Sequence, residues 1–453
     1  MKRGASTLLL IVVALGLAGY IYFVEWRKPE QRDAREKAFP GVDAGAIETI
    51  TVTNANGEST TLERQDGKWV ITKPEPLDAD GTEASAMASA IAGLEITRVV
   101  DDKPADVAQY GLQPPKVEVA FQVEGDQTAR TLQVGEKTPT SGDVYARCGL
   151  DPKVFLVSSY NDQVFNKTTF DLRNKVVLTF DREKADGLDI AQGADTVQLR
   201  RQDQAWQVIA PVKARADYAA AEGLVTRLST AQMSKIVAST VSEADLKTYG
   251  LDKPMVTATV RTGTGTSTLA VGKAEGDGAF ARDAARPMVF TIDGALLTDL
   301  KKAAGDYRRK DAFEFRPFNA VKLQVTRGTQ TIVFDRSKGA GTQDAGTWRR
   351  DGTIVEPGRM DDLLTKLADV RAGSFVGPNV DAGARSPALV VNVTYDEKRT
   401  ERVTLAKVGD AGYATRADEP GAAKFDATVI DAVLQALDAT AVAPATPAAP
   451  VKK

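Results

Sequence analysis

The chain has 453 residues, 43% hydrophobic and 26% charged, ordinary globular material with room for roughly two to four domains. Its 58 basic and 61 acidic residues give a net charge of −3 with no basic face or acidic tail, which points away from nucleic acid and anionic surfaces as partners. There is no histidine and one cysteine, Cys148, so the commonest general base, the usual zinc ligand, an intrachain disulfide and a thiolate cluster are all excluded.

Lys2 and Arg3 precede a run from Ala5 to Val24 that carries no charge. At ~1.5 Å rise per residue, a helix of that length spans a hydrocarbon core of about 30 Å. Tyr20, Tyr22, Phe23 and Trp26 gather at its far end, as an interfacial aromatic belt does. The pattern predicts a cytoplasmic tail over 1–4, a transmembrane anchor over 5–24 and a charged stalk over 25–44. A cleaved signal peptide is the competing reading, with Gly16-Leu17-Ala18 as a small-x-small site. The uncharged run continues past that site and exceeds the usual ~7–15 residues of such a segment, which favours the uncleaved anchor. Lys2 and Arg3 favour the N-terminus inside, while Arg27, Lys28, Arg32, Arg35 and Lys37 count the other way. Long domains translocate largely regardless of flanking charge, so the expectation is a single-pass protein with its bulk outside the cytoplasm.

Beyond the stalk the sequence repeats itself. Trp69 and Trp206 stand 137 residues apart, and their surroundings keep step: Leu62-Glu63-Arg64-Gln65-Asp66 reads against Leu199-Arg200-Arg201-Gln202-Asp203. Tyr110-Gly111-Leu112 reads against Tyr249-Gly250-Leu251, and Val134-Gly135 against Val271-Gly272. Trp348 marks a third copy. Repeats of this kind make an array of like units, here expected at 45–180, 181–316 and, more divergent, 317–440. The Ala/Pro run over 441–453 is low-complexity and expected to be disordered.

Within a unit the first elements are strands. Ile47 to Thr53 alternates, and Thr60 to Arg64 follows the Asn56-Gly57 turn signal. The tryptophan strand comes next and is stopped by Pro74 or Pro211. Asp80 and Asp217, each suited to an N-cap, open a helix. Met87, Ile91 and Leu94 form its apolar stripe in the first copy. Leu224, Leu228 and Ala231 do so in the second, and Met360, Leu363, Leu364, Leu367 and Val370 in the third. Short helices are expected over Ala105 to Tyr110 and Glu243 to Tyr249, with Gly111 and Gly250 in the left-handed C′ position. An alternating strand follows: Val117, Val119, Phe121 and Val123, matched by Val256, Ala258, Val260 and Thr262, then by Leu389, Val391, Val393 and Tyr395. Two more strands surround an aromatic placed seven residues before a proline (Tyr145, Phe280, Tyr413), and a final helix is expected over 170–175 and 306–310. The third copy lacks Tyr-Gly-Leu and has Thr353 in place of the stop proline. The fold class is therefore α+β: a transmembrane helix, then tandem units of mixed, mostly antiparallel sheet with packed helices.

Each constellation that could carry chemistry has a plainer explanation. Gly263-Thr264-Gly265-Thr266 lies between two strands, where a hairpin turn is expected and no helix N-terminus stands behind a phosphate. Asp78 with Asp80, Asp101-Asp102 and Asp361-Asp362 read as solvated helix starts. The recurring cations Arg147/Arg282, Arg173/Arg308 and Lys175/Lys310 either hold an anionic ligand in each unit or pair with carboxylates inside it, as repetition of a folding unit repeats its internal pairs. Cys148 has no resolving partner. No catalytic, cofactor or metal residue is expected.

With the single span, the tryptophan strand, the Tyr-Gly-Leu-x-x-Pro step, the Val-Gly turn, Tyr145-Ala146-Arg147 and the Leu172-Arg173-Asn174-Lys175 close, the chain resembles the bacterial domain-of-unknown-function 4340 family over most of 45–316, and more loosely over 317–440. Genes of that family often lie beside components of ABC-type transporters, including those linked to gliding motility. The resemblance implies an accessory role in the cell envelope; with the anchor and the repeats that lack a reactive constellation, the expectation is a non-enzymatic accessory or scaffold protein anchored in the bacterial cytoplasmic membrane with its bulk in the periplasm, partnered with an ABC-type transporter or auxiliary subunit. An extracytoplasmic binding module for a polysaccharide or lipid is the alternative.

Overall fold

The computed structural model describes residues 36–139, 142–337, 346–396 and 398–441. The expected anchor, the stalk up to Arg35 and the tail from Val442 lie outside them. Among the described residues no helix is long and apolar enough to cross a membrane. They form three nine-stranded sheets and eight α-helices. Residues up to Lys175 make one compact unit; a second, from Val176, contains the second and third sheets.

The first sheet comprises β1 (Ile47–Thr53), β2 (Ser59–Gln65), β3 (Lys68–Lys73), β4 (Leu77–Asp78), β5 (Arg98–Asp101), β6 (Val117–Val123), β7 (Asp126–Lys137), β8 (Asp143–Cys148) and β9 (Val154–Ser158). Their order across the sheet is β4-β3-β2-β1-β6-β7-β8-β9-β5. Helix α1 (Gly81–Ala92) follows β4; α2 (Tyr160–Phe165) and α3 (Thr169–Leu172) follow β9. The unit is thus two four-stranded meanders, each followed by helix, joined through their first strands, with Ile50 opposite Phe121 and Val52 opposite Val119. The second and third sheets repeat this order strand for strand.

The mixed sheet expected from the sequence is corrected: the strands pair antiparallel throughout, at the centre (β1 with β6) and at the edge (β5 with β9) alike. Within the meanders the physical reason is the turns: Gly57, Gly67 and Gly125 sit at φ of 78°, 76° and 77°, closing tight hairpins that can only return the chain antiparallel.

Burial follows the alternation. Ile47, Ile50 and Val52 of β1 and Val117, Val119 and Phe121 of β6 are buried on one face, where a bulge between Ile47 and Thr49 keeps Ile47 inward. The helices cover that face. Asp80 caps α1 by accepting from the N–H groups of Thr82 and Glu83, and Asp217 accepts from Ala220 N in the helix Tyr218–Thr230. Every stripe residue named above is buried, as are Trp69, Trp206 and Trp348. The other face is polar and rich in threonine, with a cross-strand hydroxyl pair in each sheet: Thr51 with Thr61 (3.0 Å), Thr259 with Thr268 (3.0 Å) and Thr326 with Thr331 (3.1 Å).

The connecting segments differ from expectation. The helix expected to run to Lys175 stops at Leu172, and only a 3-10 turn, Ala304–Tyr307, precedes Arg308. From there the chain is an extended strap paired to the sheet's outer strand. Asp80 N donates to Leu172 O and Asn174 N to Asp78 O; Asp217 N donates to Tyr307 O and Arg309 N to Arg215 O. The strap then pairs with the segment after the next helix: Ala312 N with Val370 O, and Ala372 N with Lys310 O. Glu36 to Ala38 make the same contacts with the first repeat, Ala38 N to Leu94 O and Ile96 N to Glu36 O. Phe39 and Val42, which the charge pattern assigns to the stalk, lie in the first core, Phe39 edge-on to Phe121 at 4.9 Å. Replacing Phe39 or Trp69 with alanine is expected to cost the first unit ~3–5 kcal/mol, read by urea unfolding. Hydrogen exchange in the second unit should stay unchanged; a loss of protection there would show that the units do not fold separately.

Candidate functional site

The repeated motifs converge on one spot in each of the first two repeats. Gly111 and Gly250 adopt left-handed backbone, φ 68° and 69°, at the end of a 3-10 turn (Ala108–Tyr110) and a helix (Glu243–Tyr249). The expected helix from Ala105 is thus shortened, and Asp101 ends β5, its carboxylate accepting from Lys103 N, instead of opening a helix. The Tyr-Gly step then lies directly on the Val-Gly strand: a Cβ on Gly135 would stand 2.1 Å from Tyr110 O, and one on Gly272 2.2 Å from Tyr249 O. The tyrosine rings pack on the aromatic of the next strand, Tyr110 on Tyr145 at 4.9 Å and Tyr249 on Phe280 at 4.8 Å. Three motifs separated in sequence form one backbone lock. In the third repeat Ala406 replaces the strand glycine, and Gly383 (φ 67°) reaches it behind Ala382, which packs against Tyr413. Gly135→Ala and Gly272→Ala should each destabilise by ~1–3 kcal/mol or more through overpacking. Ala406→Gly should cost no more than the ~1 kcal/mol of added backbone freedom, and a calorimetric melt of the three variants checks the contrast.

The recurring cations do not share a cradle. Arg147 Nε donates to Gln133 (2.5 Å), which donates to Glu118 (2.9 Å) on the polar face. Arg282 instead donates to Arg286 O at 3.1 Å, and Arg286 pairs with Asp283 at 2.9 Å. Arg308 is buried, its guanidinium 4.0 Å above the Phe375 ring and 3.3 Å from Glu419. Cys148 is half-buried with Sγ 3.7 Å from Ala38 O, and burial, with Asp151 adding, pushes its thiol up to about 12. Among the described residues no group of histidine, cysteine, aspartate and glutamate could hold a metal ion.

A dense charge cluster joins the second and third sheets within their unit. Glu419 receives the guanidinium of Arg215 as well as that of Arg308. Glu401, 5% exposed, accepts from the backbone N–H of Glu314 and Phe315 and from Arg416 at 2.7 Å. Burial alone would lower the basicity of Arg416, but Asp418 and Glu401 hold it above its ordinary value. Glu314 takes Tyr395 Oη at 3.0 Å and Arg399 at 3.1 Å. Burial pushes its carboxyl up, yet the Tyr395 hydroxyl with Arg215, Arg416 and Arg309 outweighs that and leaves it below the ordinary range. Burial and the facing Glu314 push Tyr395 up to about 12. The void beside Arg215, Arg308, Arg416 and Glu419, about 20 Å³, has room for a single water, so this part of the cluster is a weld and not a ligand pocket. A depressed carboxyl stabilises the fold at pH above its unfolded value, near 4.3, and that stabilisation fades as pH falls through the folded value. Glu314→Gln should therefore lower the melting temperature at pH 7 and converge with the parent as the pH falls past the unfolded value and through the lowered folded one; a pH-independent gap would contradict the ionised role.

The larger hollows are shallow. One of about 560 Å³ lies on the open face of the third sheet, between Lys322, Gln324, Thr326, Asn392, Thr394 and Arg402. Another, of about 430 Å³, lies beside Lys235, Glu275 and Phe280 in the second repeat. Sequence reasoning missed both: the lining of the first carries no motif, and Phe280 in the second reads only as a packing aromatic; the period-two polar positions of the strands are the signal that locates the first.

A family model described as domain of unknown function (DUF4340) matches residues 69–207 and 206–390. No curated protein matches the chain. The crystal structure of the DNA polymerase sliding clamp from Pseudomonas aeruginosa with ligand aligns over 88% of this chain and 96% of that one, at 8% identity and a TM-score of 0.16, too low to carry an argument.

Proposed function

Because the chain belongs to the DUF4340 family of unknown function, we propose from its own residues that it is a non-enzymatic accessory or scaffold protein of the bacterial cell envelope. In this reading residues 5–24 tether it to the cytoplasmic membrane, and the three repeats stand in the periplasm and bind a component of an ABC-type transport system. The observation that carries the reading is the fate of the repeated residues. Tryptophan, Tyr-Gly-Leu and Val-Gly are taken up in packing and backbone contacts, and what the sheets leave open is broad polar face rather than a reactive cleft. Broad, repeated, rigid surfaces suit protein partners.

The hollow on the third sheet favours one second reading, an extracytoplasmic binding module. Its amide, hydroxyl and cationic lining suits a hydroxyl-rich polysaccharide better than a lipid acyl chain.

Affinity purification of the full chain from detergent-solubilised membranes tests the first reading. Transporter components should co-purify in stable ratio. Recovery of polysaccharide in their place, lost on Asn392→Ala with Arg402→Ala, would support the second. Intact-mass analysis showing a mature start beyond Ala18 would remove the anchor from either.

A further inference from the structure

Arg308 is 7% exposed, yet its guanidinium is only partly satisfied. The Phe375 ring covers its face at 4.0 Å, and Nη2 donates to Glu419 at 3.3 Å. The Nε–H is buried and has no acceptor among the described residues. A buried charged donor is costly to leave unmade, so a partner is expected beside it. Arg308 lines the void of about 20 Å³ at the seam of the second and third repeats, with Arg215, Arg309, Lys310 and Arg416. Two carboxylates, Asp311 and Glu419, share that wall, and both are engaged already. Glu419 holds Arg215 and Arg308, while Asp311 takes Arg316 at 3.1 Å and Arg309 at 3.7 Å. Glu314, Glu401 and Asp418 also draw on Arg215 and Arg416. Lys310, half-buried, has no ion pair among the described residues. The wall thus carries five cations to two carboxylates, around a space with an unmade donor.

We propose that this void is a binding site for one monatomic anion, chloride, which accepts the Arg308 Nε–H. Its volume exceeds the ~10–15 Å³ that a water needs and falls far short of any organic ligand. A water answers the Nε–H alone. A halide answers both the donor and the excess of positive charge, in surroundings where poor solvation strengthens the attraction. The site draws on the second repeat through Arg215, on the connector through Arg308 to Asp311, and on the third repeat through Arg416 and Glu419. It therefore exists only while the connector stays paired on both flanks, Arg309 N with Arg215 O and Ala312 N with Val370 O. A ligand that binds only the closed joint stabilises it by mass action. The joint thus tightens with the halide content of the medium, whereas exposed ion pairs weaken as ionic strength rises.

Hydrogen exchange of the full chain in detergent, in sodium chloride against sodium gluconate at one ionic strength, tests the site. Peptides carrying Arg309 and Ala312 should exchange more slowly in chloride, by about tenfold at ten times the dissociation constant. Peptides of the first unit should exchange alike in both salts. Ala423→Val supplies the contrast: Ala423 lines the void and lies opposite Phe375 across the sheet, so the added methyls fill the space and leave every charge in place. The chloride effect should vanish in that variant. Equal exchange of the parent in the two salts overturns the site, and so does a chloride effect that survives Ala423→Val. Crystals of the parent grown in bromide give a measurement free of any variant. An anomalous peak within hydrogen-bond distance of Arg308 Nε, together with the chloride effect, upholds the proposal. A water in the void overturns it. A bromide peak with no chloride effect on exchange is an adventitious ion only and overturns it as well.

Discussion

The pairing of β1 with β6 is the constraint on which each repeat depends. It joins two short meanders, neither large enough to bury its own face, into one sheet whose inner residues meet the helices from both halves. The register is set by residues that cannot slip: moving β6 by one position would turn Val117, Val119 and Phe121 to the polar side and Glu118 and Gln122 into the core. The helix faces, the tryptophan position and the lock at Gly135 all take their places from that register.

Much of this is legible in the residues because it rests on local physics. The alternation of Val256, Ala258 and Val260, the caps at Asp80 and Asp217, and the left-handed glycines 111 and 250 each act within a few residues of their signal. What escapes is non-local. Nothing near Gly135 announces that the Tyr110 carbonyl will lie against it, and nothing near Arg308 announces Phe375 and Glu419, which belong to the next repeat and carry no motif. The straps are hidden for the same reason: Arg173 to Lys175 and Arg308 to Lys310 read as the ends of helices until their backbone partners are known.

The third repeat shows how such a fold wears. Its two departures at the lock are coupled, for Ala406 has space only because no tyrosine carbonyl presses on it, and Ala382 takes the tyrosine's place beside Tyr413. Its tryptophan turn is shorter, with Asp351-Gly352 in place of the proline loop, and Glu356 takes the N-cap position of the helix without a side-chain capping bond. The sheet order survives all of this. Topology here is held by the central strands, and the periphery is free to change.

The connector at Lys310 has a mechanical consequence. It is paired on one flank with the second repeat, through Tyr307 and Arg309, and on the other with the third, through Lys310 and Ala312. Tension along the chain would meet backbone bonds before it met a slack joint, and those bonds must rupture before the two repeats can part. Bending between them is opposed in the same way, with Glu419 gripping Arg215 and Arg308 at once. A pull applied at one end of this unit is therefore delivered to the other as displacement, with little absorbed between.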